Sequence, residues 1–177
     1  DLMGARGEAI WKRLAPWARD EGIALGASCY SVNDAATLAD RPGVALCQIP
    51  GNALDQHVAR PEIVVALSKV DVHLRSVFLQ GLLLMRPAHA AERLPAAAEA
   101  VTRWNAWAAS RDLSALEAAV SVVKSFKAVS TVVVGVDNLT QWRAIAAAWR
   151  SAQPYAAPEL AIDCSDIIDP RTWSVKA

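Results

Sequence analysis

The chain has 177 residues, 54% of them apolar, with 18 basic and 18 acidic side chains and a formal charge of zero at pH 7. A chain of this size buries roughly 70% of the surface its unfolded form exposes, so one core is expected, within a single domain over residues 1–177. Zero net charge argues against nucleic-acid or acidic-membrane partners, no apolar run reaches the roughly 18–20 residues of a membrane span, and no secretory leader opens the chain.

Hydrophobic periodicity then divides the chain into alternating segments. Residues 8–20 place Ile10, Trp11, Leu14 and Trp17 at helical spacing, with Pro16 predicting a kink and Gly22 a stop. Residues 23–29 read as a short apolar strand, and 33–40 as a helix introduced by polar residues able to cap it. Arg41-Pro42-Gly43 breaks the pattern before a second strand at 44–49. A loop over 50–61 leads to a helix over about 62–69 and a third strand at 70–76. An apolar segment at 77–85 contains Gln80-Gly81, and a long Ala-rich helix over about 91–110 sets Trp104 and Trp107 on one face. Ser114 to Glu117 is a capping-box pattern opening a helix with Leu116, Val120 and Val123 inward. Residues 130–135 form the clearest strand, apolar on both faces, and 138–151 a helix with Leu139, Trp142, Ile145 and Trp149 in one stripe.

The order is a helix, four strand–helix units and an irregular tail. Strands without polar/apolar alternation, separated by helices, predict a parallel sheet covered on both faces. Four such units fit a doubly wound sheet or part of a (β/α)₈ barrel, and periodicity alone does not choose between them.

Chemistry-bearing motifs are few. His57, His73 and His89 lack metal-ligand spacing; His57 and His89 read as solvated, and His73 as a satisfied strand residue. No G-x-S-x-G, P-loop or G-x-G-x-x-G occurs, and nothing indicates a metal site. Cys29, Cys47 and Cys164 have no C-x-x-C spacing, and their odd number and apolar surroundings fit reduced thiols in a cytoplasmic protein. Asn138-Leu139-Thr140 matches a glycosylation sequon but sits where a helix cap is expected. What remains are polar residues and glycines at the C-terminal ends of apolar strands: Ser28, Gln48, Ser76, Gly135 and Asp137. In parallel α/β folds that edge gathers loops and helix N-termini, and Gly81 and Gly135 allow close approach to a phosphate. An equally open reading has Ser28 and Gln48 bonding inside a barrel and the glycines only turning the chain.

The run Val72-His73-Leu74-Arg75-Ser76-Val77-Phe78-Leu79-Gln80-Gly81-Leu82-Leu83 resembles the seventh-strand segment of aldo/keto reductases. Val132-Val133-Val134-Gly135-Val136-Asp137-Asn138-Leu139-Thr140-Gln141 looks like the same family's eighth strand and following helix. Gly26-Ala27-Ser28-Cys29-Tyr30 and Cys47-Gln48-Ile49-Pro50-Gly51-Asn52 resemble strands five and six, and Ile168-Asp169-Pro170-Arg171-Thr172-Trp173 the end of such a chain. The four strand segments keep the family's order.

The resemblance implies an α/β fold of the (β/α)₈ TIM-barrel type, of which this chain supplies about half, and hydride transfer between a nicotinamide cofactor and a small carbonyl or alcohol. Ser28 and Gln48 match positions that hold the nicotinamide carboxamide; Ser76, Phe78 and Gly81 fall where the family wraps the pyrophosphate, with Gly135 on the neighbouring strand end. Asp137 and Gln141 match the adenosine end, and a carboxylate at 137 favours NAD over NADP because it repels a 2′-phosphate. The position after Ser28 is often Asn in the family and is Cys29 here; Ala144 and Ile145 replace a polar pair that often completes the adenine contacts.

The family's catalytic Asp, Tyr, Lys and His come from the first four strands, so the resemblance leaves this chain with no catalytic residue and an expectation of inactivity alone. A whole barrel needs about 250 residues, and the start at Asp1 without a Met fits a chain cut from a longer one. The expected partner is then the N-terminal half or a second copy. A second reading makes the chain an inactive half-barrel that binds or self-associates, since two open sheet edges invite pairing.

Overall fold

The computed structural model describes residues 2–173. The chain divides into two compact units: one holds residues up to Pro50, His57–Arg75 and Lys127–Val133, the other Gly51–Gln56, Ser76–Phe126 and the chain from Val134 onward.

The first unit contains helix α1 (Gly4–Asp20), strand β1 (Leu25–Ser28), α2 (Val32–Ala39), β2 (Val44–Pro50), α3 (Pro61–Ala66), β3 (Asp71–Arg75) and β4 (Thr131–Val132). All four strands are parallel and lie side by side in the order β1-β2-β3-β4. Ser31 caps α2 by accepting from the Asp34 N–H at 3.1 Å, and Pro61 opens α3, where its missing N–H costs nothing. Alternate strand residues point to opposite faces. One face carries Ala27, Cys47, Ile49, Val72 and Leu74, all buried; the Cys47 thiol donates to the α2 carbonyl of Ala35 at 3.7 Å. The opposite face carries Ser28, Gln48, His73 and Thr131, none fully buried. The strands therefore alternate, contrary to the expectation of two covered apolar faces.

The second unit contains α4 (Pro87–Arg93), α5 (Ala98–Ala109), α6 (Ala115–Lys124), α7 (Leu139–Ser151) and α8 (Ser165–Ile168). Its core gathers Leu79, Leu82, Leu83, Val101, Trp104, Ala118 and Val122, each fully buried. Trp104 stacks on Trp107 with ring centroids 5.8 Å apart, and its indole N–H donates to the Leu83 carbonyl at 2.8 Å. The capping box of α6 forms as its sequence requires: Ser114 Oγ accepts from the Glu117 N–H, and the Glu117 carboxylate accepts from the Ser114 N–H at 3.0 Å. Asn138 caps α7 by accepting from the Gln141 N–H at 2.9 Å, the structural role expected of the sequon.

Further expectations change. The helix over 91–110 is two helices, because Pro95 breaks the ladder between α4 and α5 and a 3₁₀ turn, Pro95–Ala97, bridges them. The strand over 130–135 shortens to β4, an edge strand with a single neighbour, and Val133 is 41% exposed. The α7 stripe is apolar but uncovered: Leu139 is 58%, Trp142 51% and Trp149 40% exposed, and only Ala148 of α7 is buried. The same holds for Ile10, Leu14 and Trp17 of α1, where Trp11 alone of the four goes inside and donates to the Pro42 carbonyl at 2.9 Å.

Candidate functional site

The sequence candidates fall into local groups. In the first unit the register of the sheet sets Ser28 opposite Gln48, Gln48 opposite His73 and His73 opposite Thr131, making one polar row across all four strands. Ser28 Oγ lies 3.5 Å from Gln48 Oε1. A hydroxyl and an amide side by side offer donors and acceptors together, the set needed to hold a planar carboxamide. Beyond the row, Arg75 donates to the Cys29 carbonyl at 3.1 Å and its guanidinium lies 5.1 Å from the centre of the Tyr30 ring. His73, Thr131 and Arg75 were not among the sequence candidates; the period-two pattern Asp71-Val72-His73-Leu74-Arg75 is the signal that places a polar face there.

Behind that row, on the buried face, sit the free thiols of Cys29 and Cys47. A hydrogen bond with the Cys47 thiol, reinforced by burial, pushes the Cys29 thiol up from its ordinary range, so it stays protonated.

In the second unit the segment after β3 has an unusual backbone. Ser76 (φ 62°), Leu79 (47°), Gln80 (54°) and Gly81 (81°) all adopt left-handed conformations, and only the last is a glycine. Each non-glycine residue there costs of the order of 1 kcal/mol, which the surroundings must hold in place. Burial of Val77, Leu79, Leu82 and Leu83 anchors the loop. So does Asn52, 1% exposed, whose amide donates to the Ser76 carbonyl at 3.3 Å while its oxygen accepts from the Leu54 and Asp55 N–H groups at 2.9 and 3.1 Å. Within the loop, Leu79 N–H donates to the Ser76 carbonyl and Leu82 N–H to that of Leu79. Among the described residues, the N–H groups of Val77, Phe78, Gln80 and Gly81 have no backbone acceptor. Left-handed turns with unspent N–H groups form concavities suited to anions. A Cβ built on Gly81 or on Gly135 meets nothing within 4 Å, so the backbone is open at both.

At the start of α7, Gln141 accepts from the Asp137 N–H at 2.8 Å and donates to the Asp137 carboxylate at 3.3 Å, closing a small exposed ring. Thus Ser28 and Gln48 are adjacent, Ser76, Phe78 and Gly81 share one loop, and Asp137 and Gln141 are bonded, with Gly135 in the segment leading to them.

Two cavities, of about 460 and 400 Å³, have other linings: Arg111 and Tyr155 among them in the second unit, Pro16 and Ile23 in the first. Among the described residues no cluster of three His, Cys, Asp or Glu could hold a metal, and no helix is long and apolar enough to cross a membrane.

These elements define the class of fold: a parallel α/β chain forming about half of a (β/α)₈ barrel. Its structural neighbours are aldo-keto reductases. The apo form of aldo-keto reductase AKR11C1 from Bacillus halodurans matches with a TM-score of 0.65 and 20% identity, over 90% of this chain and 58% of that one. The holo form of the same enzyme matches with a TM-score of 0.64 and 19% identity, over 90% of this chain and 57% of that one. The chain therefore spans less than two thirds of these neighbours' length. No family model matches the sequence, and no curated protein matches it either.

Proposed function

We propose that this chain is part of an NAD(P)-dependent aldo/keto reductase and carries cofactor-holding residues rather than the acid–base machinery. The observation that carries the reading is the loop 76–81: strained, buried at its apolar side chains, and offering four unspent N–H donors where the resemblance expects a pyrophosphate. Backbone dipoles suit that group because they meet its charge without needing a lysine or arginine. The polar pair Ser28–Gln48 supplies the donor and acceptor for a carboxamide, and Asp137 with Gln141 the groups for a ribose hydroxyl. A bound nicotinamide would supply the hydride; these residues would hold and orient it. Asp137 favours NAD over NADP, since its carboxylate repels a 2′-phosphate.

The substrate class is a small carbonyl or alcohol, and the protein is cytoplasmic. The resemblance places the carbonyl's proton donor in the first four strands of the barrel, so the chain alone is expected to be inactive. Fluorescence titration of the purified chain with NADH and NADPH tests the cofactor reading: tighter NADH binding is expected, and no binding of either at millimolar concentration would end it. Carbonyl reduction by this chain alone would overturn the claim that the acid–base groups lie elsewhere.

A further inference from the structure

The second unit holds a cavity of about 460 Å³ whose lining includes Arg111, Ser121, Ser151, Gln153 and Tyr155. That volume lies within the roughly 300–1,000 Å³ range of small-molecule sites. The Arg111 guanidinium is fixed there by stacking: it lies 4.2 Å from the centre of the Trp107 ring and 5.2 Å from that of Tyr155. Its Nη1 donates to the Trp107 carbonyl at 3.3 Å and to Ser110 Oγ at 2.9 Å, which spends one end of the fork. The opposite edge is unspent. Nε is buried without a hydrogen-bond partner, and Nη2 lies 4.0 Å from the Glu159 carboxylate, beyond hydrogen-bond reach. A buried donor on a charged group is costly unless an acceptor meets it. Ser121 repeats the pattern independently. It is 1% exposed, its carbonyl accepts from the Tyr155 N–H at 2.9 Å, and its hydroxyl bonds to none of the described residues.

We propose that this cavity binds a small hydroxylated monocarboxylate, a sugar acid or hydroxy acid, held by the Nε–Nη2 edge of Arg111 and the Ser121 hydroxyl. That edge presents two parallel N–H donors, the geometry that matches a planar carboxylate. Its stacking and carbonyl contacts fix the guanidinium beforehand, so little side-chain freedom is lost on binding. Two carboxylates stand nearby: Glu117 accepts from the Ser114 N–H at 3.0 Å, and Glu159 from the Trp107 indole N–H at 2.7 Å. Their charges disfavour a phosphate dianion relative to a singly charged acid. Ser121, with Ser151 and Gln153 beside it in the lining, suits the hydroxyls of such an acid. The site shares no residue with the proposed cofactor groups and does not depend on that reading.

The Arg111 Nε–H resonance of the ¹⁵N-labelled chain, assigned by its loss in Arg111→Lys, reads the site directly. Gluconate is expected to move it to saturation at low millimolar concentration, with acetate weaker and glucose or chloride without effect. Ser121→Ala is expected to weaken gluconate about fivefold, and Arg111→Gln, followed through the Tyr155 amide, by more than about tenfold. Should Arg111→Gln fail to fold, as judged by circular dichroism, Ser121→Ala decides. No shift with gluconate overturns the proposal, as does an equal shift with glucose or chloride. So does tighter binding of phosphate than of gluconate, or gluconate binding that Ser121→Ala leaves untouched. Gluconate binding that appears only after Glu159→Gln would mean that Glu159 itself fills the edge, and the proposal fails.

Discussion

Replacing Asn52 by alanine is expected to destabilise the second unit by about 2–4 kcal/mol. The side chain is 1% exposed and makes three hydrogen bonds, two accepted from the N–H groups of Leu54 and Asp55 and one donated to the Ser76 carbonyl. At about 1 kcal/mol net per bond the loss is roughly 3 kcal/mol, and stranding buried N–H groups keeps it from falling much lower. Leu54 and Asp55 are themselves buried, at 1% and 7% exposure, so water does not readily replace the lost acceptor. In a chain of this length each kcal/mol moves the melting temperature by about 2–4 °C, which puts the expected drop at roughly 5–15 °C. Urea unfolding followed by tryptophan fluorescence measures it, with the slope against urea unchanged if only stability has moved. A free-energy change under about 0.5 kcal/mol, the range typical of surface substitutions, would refute the role given to Asn52 in holding the left-handed loop.

Trp104→Ala should cost about 3–5 kcal/mol, because a fully buried indole and its bond to Leu83 are lost, whereas Trp142→Ala, half-exposed on α7, should stay within about 1 kcal/mol in the same unfolding assay. A disulfide thiol reagent at pH 8 should modify Cys164 alone in the folded chain and all three thiols in denaturant, since Cys29 and Cys47 are buried and Cys29 is held protonated. Asp137→Asn, which removes the charge but keeps an oxygen for Gln141, should raise NADPH affinity by roughly tenfold, about 1.4 kcal/mol, with NADH binding little changed in a fluorescence titration.

Local chemistry was legible in the sequence wherever it acts locally. The Ser114–Glu117 box, the Asn138 cap and the strand positions of Ser28 and Gln48 follow from neighbouring residues, and the structure holds them as read. Periodicity located the stripes on α1 and α7 but could not say whether anything covers them, since a stripe records which side is apolar and not what packs there. Hydrophobic period alone spans residues 91–110 and does not register the single Pro95 that divides them. The loop 76–81 shows the deeper limit. Gly81 alone signalled a left-handed turn; Ser76, Leu79 and Gln80 carry no such mark, because tertiary burial and Asn52 impose their conformation. Asn52 bonds locally to the Leu54 and Asp55 N–H groups, but its bond to the Ser76 carbonyl, 24 residues away, forms only in the fold.

Amide-resolved nuclear magnetic resonance of the ¹⁵N-labelled chain during titration with NAD addresses the central claim most directly. The account predicts that the Val77, Phe78, Gln80 and Gly81 amides shift and saturate together. A folded chain whose loop amides stay in place at millimolar NAD, or whose shifts fall only outside residues 76–81, would contradict it.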